Sequence, residues 1–368
     1  MRALAKENLS LLIQILREDG YEVLGPRMGE GAIVYGPLES AEEIPRGWIE
    51  EQAPGHYRLK RDPDDRFFAF TLGPQSWKKY LHPPSLCLYK TRKTDQGLEF
   101  ESDSWNKKQA FLGVRACEME AILKQDRVFL EQLHPDKPYQ ARRESVFLIG
   151  VNCSRAGGAC FCVSTETGPT LQSGDDITLT ELEEIFLLEA RSARGRAVLG
   201  RLPTEEASSH ALSEAAGQEE HVCRQMGRTL DTEGLAELLK NNLNHPRWKD
   251  VGDRCLTCGN CTMVCPTCFC FSVEEMTDLA GLESQRVRHW DSCFSEQFTL
   301  TSGSCQRSAA EARYRQWMTH KLATWHDQFD ESGCVGCGRC IVWCPVGIDI
   351  TEEAAVIREK DGASHANS

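Results

Sequence analysis

The sequence predicts an α+β protein in two parts, a mixed α/β domain followed by an α-helical, cysteine-rich domain. Three observations predict it. Short apolar runs broken by Gly and Pro alternate with helical spacing over the first half. A polar Ala/Ser/Glu/His stretch from Pro203 to Gly217 then interrupts the pattern, and cysteines at a repeated spacing follow it, flanked by segments of helical composition. A chain of 368 residues is long for one core, so two domains are expected. The boundaries read as a scaffold domain over 1–203, a connecting helical region over 204–240, and the cysteine-rich domain over 241–368.

Taken in order, Leu9, Leu12, Ile13 and Leu16 recur at helical spacing within Lys6–Arg17, and Gly20 stops the helix. Tyr21–Leu24, Ala32–Tyr35, Phe67–Leu72 and Val146–Val151 read as strands, with a helix over Glu118–Phe129 between the last two. Ile177–Leu188 has apolar spacing that suits a helix, but its Thr-rich start tips the reading to strands. The polar stretch can carry a surface helix, and Thr232–Asn242 reads as a helix with Leu235, Leu238 and Leu239 on one side.

Composition excludes several function classes. With 40% hydrophobic and 26% charged residues the chain is globular rather than disordered. A net charge of -13 with no basic stripe opposes nucleic acid as a partner. The apolar residues of Met1–Glu18 are interrupted by charges, unlike a signal peptide, and every apolar run falls short of the roughly 18 residues a membrane-spanning helix needs. A cytoplasmic protein without a membrane span is expected. Its 18 cysteines should then stay reduced, and reduced, clustered cysteines point to metal.

The pattern C-x2-C-x2-C-x3-C-P occurs twice, as Cys255, Cys258, Cys261, Cys265, Pro266 and as Cys334, Cys337, Cys340, Cys344, Pro345. Three cysteines at steps of three wrap one face of a cubane, and the fourth, leading out past Pro, reaches away. In two-cluster ferredoxins that fourth cysteine ligates the other cluster. The expected sets are therefore Cys255, Cys258, Cys261 with Cys344, and Cys334, Cys337, Cys340 with Cys265, each holding a [4Fe-4S] cluster. Gly259, Gly336 and Gly338 allow close backbone approach, and the prolines end each loop. Zinc, the bland alternative, takes paired C-x2-C units and gains nothing from the third cysteine. The long interval between the motifs, with helical composition over Ala309–Trp325, favours a helical ferredoxin-type domain over the compact β-α-β form. Arg313, Arg315, His320, Lys321 and His326 make this interval basic, as a solvated face, a docking surface or a set of cluster-tuning charges.

Cys117, Cys153, Cys160 and Cys162 form a second constellation at apparent strand ends in the first domain. A third cluster and a set of buried thiols are both consistent with it. Cys268, Cys270 and Cys293 give three donors without a fourth and stay unassigned, thiol–disulfide chemistry being one use for them. Cys87, Cys223 and Cys305 are isolated. No Gly-Lys dipeptide, G-x-G-x-x-G strand-to-helix turn, G-x-S-x-G or H-E-x-x-H occurs, so no nucleotide fingerprint or catalytic constellation is expected.

Several strings resemble one family. They are Gly73–Trp77 (Gly-Pro-Gln-Ser-Trp), Phe111–Cys117, Val151-Asn-Cys153 with Cys160-Phe-Cys162, Cys258–Cys270, Trp290-Asp-Ser-Cys293, Arg313–Trp317 and Cys334–Pro345. The chain resembles the β subunit of soluble sulfhydrogenase-type nickel–iron hydrogenases, which is similar to the corresponding iron–sulfur subunit of anaerobic sulfite reductase. The resemblance implies an electron-transfer subunit with [4Fe-4S] clusters between a flavin- and NAD(P)H-binding partner and a catalytic partner, of either the hydrogenase or the sulfite reductase kind. Ala116 stands where Pro is expected, Cys305 where no cysteine is, and Arg155 where a small residue would sit more easily beside a cluster.

Overall fold

The computed structural model describes residues 1–71, 73–102 and 105–365. Its largest element is a mixed sheet of eight strands in the order Glu205–Glu206, Arg2–Ala5, Ile185–Ala190, Ile177–Glu181, Val146–Val151, Lys108–Val114, Tyr21–Met28, Ile33–Pro37. The central strands Ile177–Glu181, Val146–Val151, Lys108–Val114 and Tyr21–Met28 run parallel, and the outer pairs are antiparallel. Every residue of Val146–Val151 is buried, as a parallel strand covered on both faces requires. Phe147, Ile149 and Val151 point into the same core as Leu9, Leu12, Ile13 and Leu16 of the helix Leu9–Glu18, whereas Val146 and Leu148 face the helix Ala116–Phe129. The period of two thus sorts one strand between two cores.

Ile177–Leu188 resolves into the strands Ile177–Glu181 and Ile185–Ala190, paired antiparallel. The polar stretch ends in a surface helix, Ser209–Arg224, and the next helix spans Leu235–Asn241. Phe67–Leu72 departs from its strand expectation over the described part, Phe67–Thr71, while Leu72 lies outside the described residues. Side chains rather than a ladder satisfy this backbone. Glu181 accepts from the N–H groups of Phe67 and Phe68 at 2.8 Å each, and Glu50 accepts from Thr71 N–H at 2.9 Å. Buried Arg115 donates to the carbonyls of Phe68 and Phe70 at 2.8 and 2.7 Å.

A second sheet was not legible in the sequence. It orders Phe271–Thr277, Glu283–Trp290, Ser85–Thr94 and Gly97–Ser102, all antiparallel, so the cysteine-rich region is not wholly helical. Gly97–Ser102 is exposed throughout, and its strand is defined by main-chain pairing without a buried face. Strands from before and after the polar stretch share this sheet, so the parts expected to be separate domains are joined by main-chain hydrogen bonds. Helices Leu235–Asn241, Arg247–Arg254 and Ala310–Thr319, a π turn over His320–Thr324 and the helix Trp325–Phe329 build the remaining core around Trp248, Tyr314, Trp317 and Ile341.

Replacing Arg115 by Leu strands the Phe68 and Phe70 carbonyls in a dry interior. A loss of roughly 2–4 kcal/mol, read as a lower denaturation midpoint, is expected, with Phe67–Thr71 exchanging amide hydrogens faster.

Candidate functional site

The two repeated motifs fold alike. Helix Arg247–Arg254 ends on Cys255, after which Gly259, in the left-handed region, starts the short turn Asn260–Met263 that carries Cys261. Gly338, also left-handed, starts the matching turn Arg339–Val342 that carries Cys340. The structure brings Cys255, Cys258, Cys261 and Cys344 around one small pocket, walled by Phe294, Tyr314, Trp317 and Ile348. Cys261 interacts electrostatically with Cys255, Cys344 and Cys258 more strongly than with Cys265 of its own motif, and Cys344 rather than Cys265 lines the pocket with it. Cys340 is surrounded in the same way by Cys334, Cys337 and Cys265. Cys340 also lines the first pocket, which places the two sets side by side.

Burial pushes Cys334 up to about 11 and Cys261 and Cys340 well above the usual thiol range. Thiolates gathered in a dry interior therefore need positive charge beside them. Cys265 is the exception. A hydrogen bond from Cys268 and the nearby Lys321 ammonium hold it well below the ordinary value. Lys321 is buried and donates to Cys265 Sγ at 3.3 Å, to Thr267 Oγ1 at 2.8 Å and to the Gly333 carbonyl at 3.3 Å. Burial opposes its charge, yet the surrounding thiolates keep the ammonium well above its ordinary range. Of the basic residues of this interval, Lys321 is therefore a charge on the cysteine site, whereas His326 is a solvated side chain.

The first-domain cysteines also converge. Cys117 lies in the opening turn of Ala116–Phe129, just beyond the strand Lys108–Val114, and Cys153 follows the strand Val146–Val151. Cys162 is close to Cys160 and Cys153, and Cys117 is close to Cys162, Cys337 and Cys153. Burial raises all four thiols, Cys160 to about 12. Arg155 turns its guanidinium to Glu50, 3.8 Å away, rather than into the set. Cys337 faces both this set and Cys265, so the three groups form a continuous series.

Main-chain contact locks the loops of that series together. Phe161 N–H donates to the Gly336 carbonyl at 2.8 Å, and Thr167 Oγ1 donates to the Val335 carbonyl at 2.8 Å. A Cβ on Gly336 would lie 2.5 Å from Cys162 N, and one on Gly338 2.2 Å from the Ala159 carbonyl oxygen. Both glycines have positive φ. Their close approach is to the other cysteine loop.

Sequence reasoning missed the buried charges around these loops. Arg339 Nη2 meets Glu118 Oε1 at 2.6 Å, both side chains 1% exposed, and Tyr35 donates to Glu118 Oε2 at 2.6 Å. Arg339 also lies against Cys337. Lys78, likewise buried, donates to the Cys268 carbonyl at 3.1 Å and stands 4.0 Å over the Trp290 ring. Nothing in single-residue identity distinguishes such cations from surface ones, although Arg339 lies inside the second motif.

Among the described residues, no group of three or more His, Cys, Asp or Glu side chains meets where one ion could sit. Cys255, Cys258, Cys261 and Cys344 line one pocket, a donor set that fits irons at the separate corners of a cubane. The 4Fe-4S dicluster domain family matches residues 254–348, the span that carries both motifs. The chain is also 31% identical over 285 residues to Sulfhydrogenase 2 subunit beta of Pyrococcus furiosus, covering 77% of this chain and 82% of that protein. The chain belongs to the sulfhydrogenase β-subunit family. This agrees with the resemblance carried by the cysteine strings, and it makes the protein an iron–sulfur subunit of the hydrogenase kind. No solved structure matches the chain. Among the described residues, no helix is long and apolar enough to cross a membrane.

The buried ammonium beside Cys265 should raise the reduction potential of the cluster that this thiolate would serve, since a nearby positive charge favours the added electron. Lys321→Gln is expected to lower that potential by on the order of 100 mV with iron content retained, as read by redox titration followed by EPR.

Proposed function

We propose that this chain is the electron relay of a cytoplasmic multi-subunit hydrogenase, passing electrons between a flavin- and NAD(P)H-binding partner and the nickel–iron catalytic subunits. What supports this reading is that Cys344 lines one pocket with Cys255, Cys258 and Cys261, while Cys265 is near Cys334, Cys337 and Cys340. These are the proposed ligands of two [4Fe-4S] clusters. Cys117, Cys153, Cys160 and Cys162 are the proposed ligands of a third, supported by their shared burial and their adjacency to Cys337. Each cluster, when bound, supplies a one-electron store.

The chain's own residues shape how those stores work. Lys321 and Arg339 offset thiolate charge at the second set, and Arg115 does so beside Cys153. Phe294, Tyr314 and Trp317 keep water from the first. The series of adjoining sets divides the labour proposed for the chain, with the scaffold of 1–203 holding one centre, 204–240 connecting, and 241–368 holding two. The equivalent relay role in an anaerobic sulfite reductase is the competing reading, motivated by the sequence resemblance to the iron–sulfur subunit of that enzyme.

Anaerobic iron and sulfide quantification with low-temperature EPR after reduction tests the cluster number. About twelve irons per chain are expected; about eight would remove the third cluster. In the crossed arrangement, Cys344→Ser should alter the same EPR signal as Cys258→Ser and leave the signal altered by Cys337→Ser intact; the opposite pairing sinks it. Affinity purification of the intact complex from its host should yield a nickel-containing large subunit, and a sirohaem-containing subunit would transfer the role to sulfite reduction.

A further inference from the structure

Six cysteines remain outside the proposed ligand sets; Cys87, Cys223 and Cys305 are isolated, and the structure divides the other three, Cys268, Cys270 and Cys293. Cys268 turns to Cys265, with which it shares a hydrogen bond, and leaves the other two facing each other. Cys270 and Cys293 line one pocket, and each is the other's foremost electrostatic neighbour. Strand pairing produces this proximity. Phe271 is opposite Trp290 in the antiparallel pair, and the next rung, Asp291 N–H to the Cys270 carbonyl at 2.9 Å, fixes the exit of the strand two residues before Cys293.

Both thiols are half-buried and line a pocket of about 160 Å³ outside the two motif loops. Arg307, His320 and Lys321 line the same pocket, with Trp317 and Trp325. Its wall is aromatic, with the Arg307 guanidinium as the charge available to a small anionic molecule, since burial keeps His320 neutral and Lys321 is hydrogen-bonded to Cys265. Behind the pair, Cys293 is near Cys261, a proposed ligand of the first cluster.

We propose that Cys270 and Cys293 form a redox-active dithiol–disulfide couple that exchanges with small anionic disulfides entering this pocket. The Cys270 thiolate attacks one sulfur of the incoming disulfide, forming a mixed disulfide and releasing the first thiolate. Cys293, losing its proton, then attacks the Cys270 sulfur, releases the second thiolate and closes the Cys270–Cys293 bond. One disulfide is reduced to two thiols and one protein disulfide forms, so atoms and electrons balance. Reopening the bond takes two electrons and two protons, and in this the inference rests on the relay reading, which provides electrons close to Cys293.

Oxidised glutathione is the probe, applied anaerobically to the full-length, cluster-loaded chain, with disulfides mapped by non-reducing peptide mass spectrometry. A Cys270–Cys293 linkage is expected, lost in both single Ser variants. Cys293→Ser should instead retain one glutathione on Cys270, because the resolving thiol is gone, with iron content and EPR signals unchanged. Absence of both the linkage and the trapped adduct overturns the proposal. A loss of about four irons in Cys270→Ser and Cys293→Ser also overturns it, making the pair ligands of another cluster. The wild-type iron count reads the relay hypothesis separately: a chain without iron that still forms the linkage keeps the dithiol couple and loses the relay.

Discussion

Gathering negative charge in a dry interior is the constraint on which the rest of this structure depends. Most of the proposed ligand thiols have their acidities weakened by burial, so charge-bearing thiolates here require cations and N–H donors at close range. Lys321, Arg339, Lys78 and Arg115 are all buried, which is costly for any of them alone. Each is spent on the same problem. Lys321 reaches Cys265 directly, Arg339 lies between Cys337 and Glu118, Lys78 fixes the backbone that carries Cys268, and Arg115 sits beside Cys153 while tying down Phe67–Thr71.

The same constraint explains why the cysteine-rich region is not an appendage. Gly336 and Gly338 lie against the Ala159–Cys162 backbone, the Arg339–Glu118 pair crosses from the second motif to the scaffold helix, and Ser85–Thr94 pairs with Glu283–Trp290. A separately folded ferredoxin module would leave Arg339 without its carboxylate and Glu118 without its cation. Joined, they keep Cys117 and Cys337 adjacent, and electron transfer between neighbouring centres depends on such a fixed separation.

Much of the scaffold was legible because its signals are local. Leu9, Leu12, Ile13 and Leu16 bury one stripe of a helix, and Val146–Val151 is an uninterrupted apolar run between polar flanks. The sheet that joins the two parts was illegible for the opposite reason: Ser85–Thr94 and Gly97–Ser102 are largely polar and exposed, and their strand character comes from partners far along the chain. Phe67–Thr71 misled because its aromatic content suits a strand, while Glu181, Glu50 and Arg115 satisfy its backbone instead.

By itself the sequence determined the iron–sulfur chemistry, because a cubane's ligand spacing is short range and survives in the spelling of Cys255–Pro266 and Cys334–Pro345. It also singled out Cys117, Cys153, Cys160 and Cys162 as a group. Only the tertiary structure decided that this group converges beside Cys337, that Lys321 and Arg339 are charges on the site, and that Cys270 meets Cys293 while Cys268 turns away. These are contacts between residues far apart in the chain, where burial and strand register decide what touches, and residue type and spacing carry no record of either.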